Sequence, residues 1–183
     1  MKSKLLTLLV MLLGMLTLAL PATAFPQDVE ILLDTRECPV CIFNDDDLSN
    51  ADLTGVNLKV ASLISTNLQG ANLSGSNLML TYFNNADLTG ATLQKSDLNG
   101  ADFSGAKLVD ADLSDSVLTQ AELTDADLTG ANLRGVILVG AHLGTANLEN
   151  ADLTGANLRG VGRRQVRFCN TIMPDGVIEN RDC

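Results

Sequence analysis

Every fifth residue from Phe43 to Leu158 is Leu or Phe: Phe43, Leu48, Leu53, Leu58 and so on without a miss. This makes twenty-four consecutive five-residue units, from Cys41 to Gly160. An amphipathic helix needs apolar residues near a period of 3.6, and a half-buried strand needs a period of 2. A period of five fits neither, and identifies a tandem repeat array.

Taking the Leu or Phe as the centre of each unit, the residue two before it is usually small, as at Ala51, Ala71, Ala91 and Ala111. The residue just before it is usually Asp or Asn, the next is often Thr or Ser, and the last is often Gly. In an extended segment, residues two apart point to the same side. The large and the small residue therefore both face an interior, and the Gly position relieves a corner. Each unit reads as one short side and one corner. Four sides close most simply as a square of twenty residues, and coils stack like parallel strands about 4.8 Å apart. The expectation is an all-β solenoid of about six coils, roughly 30 Å long on that spacing. A coil cannot bury its face alone, so its stability is collective. The three Phe of the array, Phe43, Phe83 and Phe103, are separated by forty and twenty residues. They fall on one face of the square, and Phe83 is expected to stack on Phe103.

Units such as Ala71-Asn72-Leu73-Ser74-Gly75 and Ala131-Asn132-Leu133-Arg134-Gly135 match the A(D/N)LXX pattern. The chain resembles the pentapeptide-repeat family, and the resemblance implies a right-handed quadrilateral parallel β-helix. The flanking Cys38-Pro39-Val40-Cys41 and Phe168-Cys169-Asn170-Thr171-Ile172-Met173-Pro174-Asp175-Gly176 are similar to secreted cyanobacterial members of the periplasm or thylakoid lumen.

Residues 1–24 read as a signal peptide. Lys2 and Lys4 precede an apolar run from Leu5 to Leu20, and Ala22-Thr23-Ala24 is a small-x-small cleavage site. Cleavage there removes two lysines and no acid, leaving ten basic residues against twenty-two acidic ones, a net charge of −12. Such a surface repels nucleic acid and anionic membrane. Residues 25–40 form the expected N-terminal cap. Asp28 to Asp34 reads as a short helix with Asp28 as N-cap and Ile31, Leu32 and Leu33 over the first coil. Arg163 occupies the next central position after Leu158, so the array is expected to end at Gly160, with residues 161–183 as a C-terminal cap. Pro174-Asp175-Gly176 marks a tight turn within it.

Four cysteines behind a signal peptide point to disulfides in an oxidising compartment. They permit three pairings. Cys38 and Cys41 lie at one end of the stack, and Cys169 and Cys183 at the other, so each pair is expected to close on itself. The Cys38–Cys41 spacing also fits a redox motif, although no thioredoxin-like pattern surrounds it. A shared zinc site would require the two ends to meet.

No catalytic constellation, cofactor loop or metal-ligand cluster emerges. His142, the one histidine, sits just before the central Leu143 on the outside of the coils, where a surface residue is expected rather than a catalyst. Calcium is the open alternative for the outward Asp and Asn columns, but the glycine-rich nonapeptide of calcium-binding β-helices is absent. Irregularities are more informative. Val60, Met79, Leu80, Val117, Ile137 and Val139 are apolar at nominally outward positions of one face, which marks a candidate protein-docking or homodimer surface. Arg159, Arg163, Arg164 and Arg167 form one basic cluster, expected to pair with acids of the preceding coil or to dock an anionic surface. The favoured function is a non-enzymatic extracytoplasmic scaffold for a protein partner. The family resemblance implies a second reading, an acidic DNA-mimic that binds DNA gyrase. The signal peptide opposes it, because gyrase is cytoplasmic.

Overall fold

The computed structural model describes residues 27–183; the signal-peptide reading of residues 1–24 lies outside them. From Glu37 to Ile172 the backbone is a ladder of parallel bridges, each joining residues twenty apart: Glu37 to Asn57, Asn57 to Asn77, Asn77 to Asp97. The bridging residue is the Asp or Asn position of each unit. Corners recur every five residues, so four sides make one coil. The turn bond closes from the residue after the corner to the central carbonyl, as from Ala71 N–H to Leu68 C=O at 3.0 Å.

The interior is continuous. Central residues from Phe43 to Leu153 are buried, beside a column of small residues that includes Ala61, Ala71, Ala101 and Ala151. Where Ser or Thr replaces Ala, its hydroxyl mostly donates to a carbonyl of the preceding coil; Ser116 instead donates to Leu113 C=O of its own coil. Thr66 reaches Phe43 C=O at 2.7 Å, Thr81 reaches Leu58 at 2.8 Å, and Ser96 reaches Leu73 at 2.7 Å. Among the described residues no buried side-chain polar atom is left without a partner, so these hydroxyls avoid the desolvation penalty that would exclude them from a core.

The corner residue sits at positive φ, as the third position of a type II turn requires. Gly55 does so at 66°, but Val60 (62°), Leu80 (56°), Lys95 (56°) and Gln120 (57°) do too. Side chains rarely adopt this region, so the coil over-determines the corner wherever glycine is missing. One corner differs. Thr145 does not carry the positive φ; Gly144 does, at 40°.

The N-terminal helix α1 spans Gln27–Thr35, which places Asp28 inside the helix and not at its cap. Val29 and Leu32, three apart on one helix face, join the core, while Ile31 and Leu33 are exposed. The 3.6-residue period allows only that pair to face the first coil. At the other end the pairing does not stop at Gly160. Arg167 pairs with Asn147 and Ile172 with Asp152, and Phe168 and Met173 fill central positions. Two short strands, β1 (Thr171–Ile172) and β2 (Ile178–Glu179), then form an antiparallel hairpin around the Pro174–Gly176 turn. The cysteines are bonded as Cys38–Cys41 and Cys169–Cys183.

Phe83 and Phe103 stack with ring centroids 4.7 Å apart and planes 3° from parallel. Phe103→Ala is expected to destabilise the protein by about 3–5 kcal/mol, since a buried aromatic is removed and the coil cannot collapse around the void. Phe103→Leu is expected to cost less than half of that, because Leu fills the same position in the next coil at Leu123. Urea denaturation of both variants checks the difference.

Candidate functional site

The outer faces explain the Asp and Asn preference. One carboxylate or amide oxygen accepts the N–H two residues on: Ser49 onto Asp47 at 3.0 Å, Thr54 onto Asp52 at 3.1 Å, Ser74 onto Asn72 at 3.1 Å. This side chain pins the approach to the corner, as an Asx turn does. Where Thr or Ser follows, its hydroxyl donates to the same oxygen, as Thr129 does to Asp127 at 2.6 Å. Neighbouring coils are laced as well, with Asn67 Nδ2 donating to Asp47 at 2.9 Å and Asn132 Nδ2 to Asp112 at 3.0 Å. The columns therefore spend acceptor capacity on the fold. Among the described residues no three His, Cys, Asp or Glu side chains gather as a metal-binding group.

Several carboxylates are held below their ordinary pKa. The Thr54 hydroxyl and then its N–H lower that of Asp52. Burial of Asp102 acts in the raising direction, but hydrogen bonds from the Ser104 hydroxyl, Asn84 and the Ser104 N–H outweigh it. At Asp112, burial is again outweighed, by the Ser114 N–H and by Gln94.

The apolar irregularities divide into two groups. Val117 and Ile137 are bridged partners in adjacent coils, with Val139 two residues on; Ile137 is 39% exposed. Val60 and Leu80 are corner residues one coil apart, with Met79 beside Leu80. Leu80 is 48% exposed, and its Cδ2 occupies the space above Gly100, where an added Cβ would lie 2.8 Å away. The sequence reading missed how far this group extends. Val40, 68% exposed, belongs to the same corner column, one coil before Val60. Ile42 and Tyr82, both exposed, stand just past that corner in one ladder through Ser62. Val40 was hidden within the cysteine motif. Tyr82 lies on the adjoining side, two residues past the Leu80 corner, in the ladder with Ser62 and Asp102.

The basic cluster also divides. Arg167 pairs with Glu149 of the preceding coil at 3.0 Å. Arg159, Arg163 and Arg164 are exposed and have no ion pair among the described residues, contrary to the pairing expected of the whole cluster. His142 is not solitary: its Nδ1 lies 3.2 Å from Glu122 Oε2. Arg181, unremarked in the sequence, is a strut. Its guanidinium lies 4.6 Å over Phe168 and donates to Arg163 C=O and Val166 C=O.

A four-sided stack of parallel rungs with a leucine interior is a β-helical solenoid. The Pentapeptide repeats family matches in eight copies over residues 41–79, 80–105, 96–135, 126–161 and 137–173, and the chain belongs to that family, whose members are right-handed quadrilateral β-helices. Similar solved structures include three pentapeptide repeat proteins. HetL, involved in heterocyst differentiation regulation in Nostoc sp. strain PCC 7120, is 29% identical, with 78% of each chain covered and a TM-score of 0.28. Rfr23 from Cyanothece 51142 is 25% identical over 80% of this chain and 97% of its own, with a TM-score of 0.41. A protein of the Arabidopsis thaliana thylakoid lumen is 30% identical over 58% of this chain and 67% of its own, with a TM-score of 0.30. No curated protein matches the chain.

The lowered pKa values fix a sign for acid sensitivity. A carboxylate whose folded pKa lies below its unfolded value contributes stability above the ordinary carboxylate range. That contribution is lost as pH falls through the folded value. The melting temperature is expected to fall on acidification below about pH 4. Asp102→Asn, which retains the acceptor oxygen used at Asn72, is expected to stay within about 0.5 kcal/mol of the parent at neutral pH and to show a shallower acid loss. Asp102→Ala is expected to cost about 1 kcal/mol at neutral pH. Thermal melts across pH check all three.

Proposed function

We propose that this protein is a non-enzymatic scaffold that presents its outer faces to a protein partner in an extracytoplasmic compartment, the periplasm or thylakoid lumen. Pentapeptide repeat proteins are generally structural or interaction proteins rather than enzymes. The observation that carries the reading is the apolar corner formed by the exposed Val40, Leu80 and Tyr82 and the half-buried Val60, on a chain whose outward positions are otherwise mostly polar. Contiguous apolar surface of this kind is characteristic of binding sites. The Val117, Ile137 and Val139 group is the secondary contact. The compartment is supported by the signal-like residues 1–24 and by four cysteines paired within this chain. Helix α1 over the first coil and residues 174–183 beyond the last rung act as caps, which a solenoid needs to shield its open ends.

The net charge of −10 favours one other reading, an acidic rod that mimics DNA and binds gyrase. The targeting segment opposes it, and recovery of the protein from the cytoplasm would restore it.

Leu80→Glu and Ile137→Glu, each at an exposed position, are expected to leave folding stability within about 0.5 kcal/mol. Leu80→Glu is expected to abolish crosslinking of the mature protein to its partner or to a second copy, and Ile137→Glu to weaken it. Unchanged crosslinks and unchanged sedimentation in both variants would contradict the docking role.

A further inference from the structure

From Cys38 to Leu158, each central residue and the residue three places later stand on either side of one corner, and the N–H of the second donates to the C=O of the first. Cys38 and Cys41 occupy this pair of positions at the first corner of the stack. Cys41 N–H reaches Cys38 C=O at 3.4 Å, and the disulfide closes the same corner with the two Cα atoms 5.5 Å apart. Pro39 and Val40 lie between them. Proline suits the second position of a type II turn, but the third needs a positive φ, which a β-branched side chain adopts only under constraint. Val40 is held there at 68°.

Corners deeper in the stack hold such residues by pairing on both sides. Val60 N–H donates to Met79 C=O at 2.9 Å, and the adjoining Lys59 C=O accepts Val40 N–H at 3.0 Å. Leu80 is tied in the same way, its N–H to Asn99 C=O and the adjoining Met79 C=O to Val60 N–H. Val40 is tied only to the later coil. Pro39 C=O, which stands where Lys59 C=O accepts one coil on, takes no backbone bond among the described residues. The other three corners of the first coil are Asp45, Asn50 and Gly55, residue types that tolerate positive φ. Val40 is the exception, and its corner carries the bridge. The disulfide does there what an earlier coil would do. With a sequence separation of 3, it restricts the unfolded chain little, so its effect falls on the folded corner.

Cys38 is buried, whereas Cys41 is half-buried, so an incoming thiolate meets the Cys41 sulfur. We propose that the Cys38–Cys41 disulfide is the substrate of a dithiol protein reductant, and that its opening releases Val40 and weakens docking at the apolar corner. The reductant's thiolate bonds to Cys41 Sγ as the bond between the two cysteines breaks, and Cys38 leaves as a thiolate that takes up a proton. The reductant's second thiol, after losing its proton, attacks its own sulfur in the mixed disulfide and releases Cys41, which is protonated in turn. Two electrons and two protons pass to this chain, and the reductant keeps a disulfide. Without the bridge Val40 returns to negative φ, and its N–H leaves Lys59 C=O, the bond that sets it beside Val60. Redox control of the corner rests on the scaffold reading, which supplies the docking partner.

The test equilibrates the mature protein, both disulfides formed, with graded ratios of reduced to oxidised dithiothreitol, and locates the opened cysteines by thiol tagging and mass spectrometry. Cys38–Cys41 is expected to open at a less reducing ratio than Cys169–Cys183. Val40→Gly, which suits the corner, is expected to make the first bridge harder to open by about tenfold. A thioredoxin lacking its second active-site cysteine is expected to be trapped on Cys41. Opening is expected to speed amide exchange at Val40 by at least about tenfold and to leave Leu73 unchanged. Cys38→Ser/Cys41→Ser is expected to do the same without reductant. Crosslinks to the partner or second copy are expected to weaken on opening. The proposal is overturned if Cys169–Cys183 opens first, if Val40→Gly leaves the equilibrium unchanged, if the trap does not form on Cys41, or if Val40 exchange does not respond. Crosslinks lost in Leu80→Glu but retained on opening overturn the control of docking and leave the scaffold reading standing. Crosslinks retained in both contradict the two together.

Discussion

From Phe43 to Leu153, the N–H of each central residue but Leu143 donates to a carbonyl nineteen residues further on, as Leu53 does to Asn72 at 2.8 Å, and Asn72 N–H returns to Ala51 C=O at 2.9 Å. No five-residue unit makes these bonds within itself. Each coil takes its backbone partners from its neighbours, and only in that arrangement do the leucines close into one interior. The rest of the structure depends on this pairing. The corners keep side-chain-bearing residues at positive φ because the bonds on either side are already made. The Asp and Asn columns act as braces to those corners, and the lowered pKa values of Asp52, Asp102 and Asp112 record it. Backbone ordering in such a chain is offset collectively, coil by coil.

The regular part was readable because it repeats. One apolar residue in five with a small residue two before it dictates a side and a corner, and the Phe spacing points to twenty residues per coil. What could not be read were the places where tertiary context overrides local preference. Val60, Lys95 and Gln120 lie at corners that local chemistry would give to glycine or asparagine. Arg181 acquires its role only when Phe168 and the 163–166 backbone are brought beneath it. The end of the array was misplaced for a different reason. Arg163 breaks the pattern at one unit, yet the five-residue step continues through Phe168 and Met173, both buried. A single polar central residue bulged one side outward without ending the stack.

The candidate surfaces show the same division. Val117 and Ile137 were visible as an apolar pair because their spacing is twenty. The corner group was only half visible, since Val40 lies within a cysteine motif and Tyr82 belongs to the adjoining side. The surface we propose for recognition lies where the repeat is violated, at the apolar corner of the first coils. Elsewhere the Asp and Asn columns are committed to holding the turns.

The claim that pairing at a separation of twenty residues organises the whole molecule is tested most directly by excision. A variant lacking residues 91–110 removes one full coil and returns every later residue to its own side. The account predicts a single cooperative urea transition with the parent's β-rich circular dichroism and a smaller m-value, in keeping with the smaller surface exposed on unfolding. Loss of cooperative unfolding in that variant would contradict it.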